Sequence, residues 1–275
     1  MLSARRLFQE IFANDESFRL FCSIAASGEA QGGWENARIA ALLPESRRQL
    51  APKVARHGAD EDKHGRLFQA LLRRRGLHAA EVPEDTDYTM LLEGLGIGLA
   101  HEKLAREEPL TEHDVLAYLV HSRVTEQRAS EEMRLLRRHF GSDPEIGRAI
   151  RMIADDEEDH LAYCHEELLR LRRWGYAGPI KALLRRSALV EIRVYRDVSL
   201  AVMSRMAGIL DWSPPRTWLI AAGIHARYVW ERLGGWRRLT ALRTPQRLDA
   251  LGIPDHPVLE PDEDVPAAVT ASRGV

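Results

Sequence analysis

The five-residue stretches DEDKH at 60–64 and DEEDH at 156–160 each place a His three positions after a Glu. In a helix, residues three apart lie on nearly one face. Glu61 with His64, and Glu157 with His160, would then each offer a carboxylate oxygen and an imidazole nitrogen to one metal ion. Of the 11 histidines, only these two have a Glu at that spacing, and chance alone would supply about one such pair. The surroundings must decide.

Strand signals are almost absent and helical periodicity runs through the chain, so the fold class is all-α. A first long helix is expected from Asn14–Asp15 to Leu43, ended by Pro44, and a second continues to about Arg75, stopped by Gly76, with Pro52 able to break its early part. Residues 76–110 read as a long connection with one short helix in YTMLLEGLGIGLAHEKLA. The third helix opens with Thr111 as N-cap and Asp114 three residues on, a capping-box variant, and ends near Phe140. GSDP at 141–144 turns the chain into a fourth helix, from about Glu145 to Arg173. Residues 1–175 thus form a four-helix unit. WGYAGP at 174–179 leads into a helical extension over 176–243, with helices near 179–210 and 214–233, and the Pro- and acid-rich residues 244–275 read as a loose tail.

Overlaying SGEAQGGWENARIAAL (27–42) on VTEQRASEEMRLLRRH (124–139) aligns Glu29 with Glu126, so the two hairpins look like copies of one another. Glu29 precedes Glu61 by 32 residues and Glu126 precedes Glu157 by 31. The midpoints fall at residue 45 and between 141 and 142, where turn chemistry alone had put the turns. In two antiparallel hairpins the paired carboxylates are therefore level. Stepping along each helix by 3.6 residues puts every one of these Glu residues on the apolar stripe. Four carboxylates facing one core repel each other and lose hydration unless cations compensate.

A Glu from each of two helices plus Glu-x-x-His from two others is the ligand set of the ferritin-like di-metal carboxylate proteins, and residues 14–173 resemble that superfamily. By this resemblance Glu29 and Glu126 are terminal ligands, Glu61 and Glu157 bridge, and His64 and His160 each complete one ion. The long 76–110 connection suits the family's crossover. Storage ferritins lack the second Glu-x-x-His, and rubrerythrins typically add a four-Cys domain that two cysteines cannot build. The symmetric set is similar to that of the oxygen-activating members, among them aldehyde-deformylating oxygenases and MiaE-type tRNA hydroxylases. The resemblance implies two Fe ions (or Mn/Fe), O2 and a small, largely apolar organic substrate, with electrons from an external donor. The alternative is a metal-handling or peroxide-scavenging protein without an organic substrate. Asp60 and Asp156 either hold the imidazoles from behind or are solvated helix residues. His57, one turn before Glu61, is an extra ligand, a proton relay or a hydrogen-bonded core histidine.

The 275 residues are 45% hydrophobic and 29% charged with net charge −2, which gives no electrostatic basis for nucleic-acid or anionic-membrane binding. No stretch is long and apolar enough for a membrane span, and the amphipathic N-terminus is not a signal peptide, so the chain reads as cytoplasmic. Cys22 and Cys164 should stay unpaired, on opposite sides of the metal layer. Glycines 28, 32 and 33 in the first helix imply either room at the site or close helix contact. The apolar C-terminal helical pair would roof a pocket or join two subunits in a homodimer.

Overall fold

The structure, a computed structural model, describes residues 3–242. The expectation of a loose tail at 244–275 lies outside them. Among the described residues all regular structure is helical: α1 (Ala4–Ala13), α2 (Asp15–Leu42), α3 (Ala51–Arg74), α4 (Tyr88–Gly94), α5 (His101–Leu104), α6 (Glu112–Phe140), α7 (Gly147–Leu171), α8 (Ala177–Ile209), α9 (Pro214–Trp230) and α10 (Trp236–Thr240).

The long helices begin where their caps are. Asn14 Oδ1 accepts from the Glu16 and Ser17 amides at 3.0 and 3.1 Å, satisfying two first-turn donors of α2. Thr111 and Asp114 form the reciprocal capping box of α6. Pro52 starts α3 rather than breaking it, because in the first turn the missing N–H has no intrahelical acceptor to lose. The single short helix expected in the connection is instead two, α4 and α5. Gly96 and Gly98, at φ +70 and +85, hold the left-handed backbone that separates them.

α2 pairs with α3, and α6 with α7. One apolar cluster holds Phe18 and Cys22 of α2, Phe68 and Leu71 of α3, Leu136 of α6 and Ile150 of α7. The other holds Ile39, Val54, Leu119 and Leu168 of the same four helices. Following each chain from one cluster to the other shows α2 and α7 running one way and α3 and α6 the opposite way. That direction requires the long crossover. The Glu and His residues fall between the clusters, so two apolar plugs seal a polar layer at mid-height.

α8 runs the height of the bundle. Ile180, Leu184 and Ile192 enter one cluster and Met206 enters the other. Arg128 of α6 is buried between Glu191 of α8 and Glu231 just after α9, at 2.7 and 2.9 Å. A fully desolvated pair stabilises only when its remaining hydrogen bonds are made. Here the guanidinium gives two bonds to each carboxylate. No helix of the described residues is long and apolar enough to cross a membrane.

Candidate metal centre

Glu29 comes from α2, His57, Glu61 and His64 from α3, Glu126 from α6, and Glu157 and His160 from α7. Their ligand atoms fall into two groups, each within 4.8 Å: Glu29, Glu61, His64 and Glu157; and His57, Glu61, Glu126 and His160. Glu61 belongs to both. Glu157 turns Oε1 toward His64 Nδ1 at 3.7 Å and Oε2 toward His160 Nδ1 at 4.0 Å, so it too spans the groups. All six residues picked from spacing meet here, and His57 joins them.

Several of these atoms lack partners. Glu126 Oε2, Glu157 Oε2 and both ring nitrogens of His160 are buried without a hydrogen bond. Leaving such groups unsatisfied costs about 1–3 kcal/mol each. His160 Nδ1 faces the two orphaned oxygens at 3.8 and 4.0 Å. Ligands about 2.1 Å from a common ion stand roughly 3–4 Å apart, and a cation among these three atoms would satisfy all of them. The residues fit a metal ion.

Behind each imidazole stands an Asp of the other hairpin, bonded to His64 and facing His160. His64 Nε2 donates to Asp156 at 2.9 Å, and His160 Nε2 faces Asp60 Oδ2 across 3.5 Å. Lys63 Nζ, 2.7 Å from each Asp, ties the two together. A proton on Nε2 leaves the Nδ1 lone pairs aimed at the carboxylates, the tautomer a metal requires. His57 is set the other way round. Its Nδ1 lies 2.7 Å from Tyr163 Oη, which is 2.6 Å from Tyr118 Oη, which donates to Asn36 Oδ1 at 2.6 Å. A chain ending on an acceptor makes His57 Nδ1 the donor, so Nε2 faces Glu61 and Glu126 at 3.0 and 3.3 Å. His57 is thus both a hydrogen-bonded buried histidine and a member of the cluster.

Electrostatics follow from burial. Burial, then the neighbouring Glu61, pushes the Glu29 carboxyl up to about 8. Burial with Glu126 and Glu61 raises Glu157 well above the carboxylate range. Burial acts on Glu126 in the same sense, but His57 outweighs it and holds Glu126 at about 2. Burial disfavours charge on His57 too, yet Glu126 and Glu61 draw it up to about 10. Burial and the adjacent His57 keep His160 below its ordinary value. Without cations the layer therefore stores protons, and metal binding would expel them.

A cavity of about 380 Å³ opens onto this layer between α2 and α6. Its walls include all four Glu residues and the polar Glu35, Thr86, Thr89, Ser122 and Thr125, with Ile24 and Ile39 of α2, Leu92 of α4, Leu99 between α4 and α5, and Val198 of α8. The three glycines divide between the two readings. Gly33 packs its backbone against Gly58, where a Cβ would stand 3.2 Å from the Gly58 carbonyl. Gly32 leaves space for Glu61, and Gly28 lines the cavity with nothing within 4 Å. His121 also lines it; its Nδ1 is buried without a partner, and burial lowers the ring to about 4, so it is neutral.

Lys63, Tyr118, Tyr163 and His121 escaped the sequence reading. Tyr118 lies eight residues before Glu126 and Lys63 three after Asp60, spacings that mark a shared face. Asn36, a polar residue on an apolar stripe, carried the plainest signal. Cys22 and Cys164 are free and buried. No family model matches the chain, and comparison with curated proteins and with solved structures finds no match.

Proposed function

We propose that the chain is an O2-activating di-metal oxygenase or oxidase of ferritin-like architecture, acting on a small, largely apolar organic molecule. The observation that carries this is the cavity: Glu residues of both ligand groups form part of the wall of a chamber that also presents apolar side chains and is large enough for an organic substrate. A metal-handling or peroxide-scavenging protein needs no such chamber. Two paired helical hairpins, a long crossover and a level ring of Glu and His support the architecture.

Glu29, Glu61, His64 and Glu157 would hold one ion, and His57, Glu61, Glu126 and His160 the other. Two iron ions, or manganese with iron, would supply the reduction of O2 and the oxidising power, with electrons from an external donor. Asp60, Asp156 and Lys63 keep His64 and His160 aimed. Ile24, Ile39, Leu92 and Val198 exclude water and select an apolar body, while the neutral His121 ring offers one hydrogen bond to a polar group of the substrate. The test is O2 uptake by the iron-loaded protein with a chemical reductant, across a panel of small apolar alcohols, aldehydes and amines. Uptake that rises with one compound class and yields an oxidised product is expected. Uptake indifferent to every compound, with iron accumulating beyond two per chain, would favour metal handling instead.

A further inference from the structure

α9 contributes no buried residue, although it is 17 residues long. It rests on α8 by one side and turns the other to solvent. Among the described residues, the five most exposed large apolar side chains lie on α9 or in the turn that follows it: Trp218 (79%), Leu233 (79%), Leu219 (62%), Trp230 (58%) and Val229 (52%). At 3.6 residues per turn, the exposed positions from Trp218 to Trp230 sweep a continuous arc of about 160°. Between Trp218 and Trp230 the exposed residues are Trp, Leu, Ala, Gly, His, Ala, Val and Trp, with no Asp, Glu, Lys or Arg among them.

The order of these residues carries the inference. Read outward from Ile224, three of the four exposed pairs mirror one another: Ala222 and Ala226, Leu219 and Val229, Trp218 and Trp230, with Gly223 and His225 the exception. We infer that α9 pairs antiparallel with α9 of a second copy of this chain, about a two-fold axis near residue 224. A two-fold interface is isologous, so each residue meets the one equidistant from the axis. Trp218 then lies beside Trp230 of the partner subunit, and Leu219 beside the partner's Val229. Ala222 and Ala226 at the centre let the two backbones approach closely, and Gly223 has open space around it. The five large side chains expose roughly 700 Å² per copy, which with the small residues between them approaches the roughly 800 Å² per partner of a stable interface. Tryptophans at both ends supply the anchors that dominate such contacts.

The chemistry favours a protein surface over a lipid one. An interfacial membrane helix rims its apolar face with several cations, whereas both arginines of α9 are engaged within the chain and Arg232, just beyond it, is the exposed cation beside Leu233. Arg216 pairs with Glu10 at 2.8 Å, and Arg227 with Glu132 and Glu231 at 3.1 Å.

The full chain, examined by sedimentation velocity at micromolar concentration, is expected at twice the monomer mass. Ala222→Glu, an exposed position, should weaken association at least tenfold with helicity and melting unchanged. Orientation is read by cross-linking. A mixture of Leu219→Cys and Val229→Cys chains should form a covalent heterodimer, while either alone should not, because like residues are offset by about 15 Å along the pair. The native Cys22 and Cys164 are buried and do not compete. Leu219→Cys cross-linking to itself would overturn the antiparallel arrangement. A dimer indifferent to Ala222→Glu would place the interface elsewhere. A monomeric wild type that binds anionic phosphatidylserine vesicles through Trp218 would assign the face to lipid. Dimerisation only after truncation at residue 242 would mean that the chain's own C-terminal segment covers it.

Discussion

A Cβ placed on Gly32 would stand 2.8 Å from Glu61 Oε2 and 3.4 Å from its Cδ. The obstacle is the far end of a flexible, partly exposed side chain, so without metal Glu61 can swing aside at small cost. Gly32 sits inside α2, where Ala is favoured over Gly by about 1 kcal/mol. Gly32→Ala should therefore raise the melting temperature of the metal-free protein by roughly 2–4 °C. With metal bound Glu61 has no such freedom, because it belongs to both ligand groups. Displacing it should weaken metal binding by at least about tenfold, roughly 1.4 kcal/mol, and more if both ions depend on it. Gly28→Ala is the control: one turn earlier, with nothing within 4 Å, it should gain the same helix stability and bind metal as the parent does. Thermal melts in chelator and calorimetric titration with Co(II) or anaerobic Fe(II) measure the two effects separately. A Gly32→Ala protein that binds metal with parental affinity would refute the argument, since Glu61 would then not be holding the ions from where it stands.

Asp156→Ala removes the acceptor behind His64 Nε2 and should cost about 10–100-fold in metal affinity with little change in folding; titration of the variant measures it. Arg128→Met strands Glu191 and Glu231 in the interior and should destabilise the chain by about 3–5 kcal/mol in urea unfolding. Burial would raise the Glu231 carboxyl, but Arg128 outweighs it and holds it at about 2 against an ordinary 4.5. A depressed folded-state value contributes stability above pH 4.5 that is lost as pH falls toward 2, so melting temperature should drop across that window and the drop should shrink in Glu231→Gln. Tyr163→Phe breaks the chain from His57 to Tyr118 and should change the pH profile of metal binding without emptying the site.

The candidate ligands were legible because helices convert sequence spacing into height. Glu29, Glu61, Glu126 and Glu157 are level for a reason visible in the distances to Pro44 and Gly141, and the two His residues follow three positions on. The capping box at Thr111 and the turn at GSDP were equally local. What stayed hidden depends on contacts across the bundle. Tyr163 meets Tyr118 across 45 residues and Tyr118 meets Asn36 across 82, distances that no helical period reports. The double identity of His57 follows from that same chain. The long connection is expected to hold one short helix and holds two, because its apolar run masks two left-handed glycines. The burial of Arg128 is equally hidden, since its partners Glu191 and Glu231 lie in a helical extension whose docking the periodicity leaves open.

The proposed centre holds two ions that share Glu61, with Glu157 reaching toward both ligand groups. Its most direct test is metal stoichiometry by anaerobic Fe(II) titration of the purified chain and of the Glu61→Ala/Glu157→Ala double variant, with elemental analysis after desalting. About two ions per chain are expected for the parent and loss of the pair in the double variant, with helicity retained in both. A double variant that still holds two ions, or a parent that holds none, would contradict it.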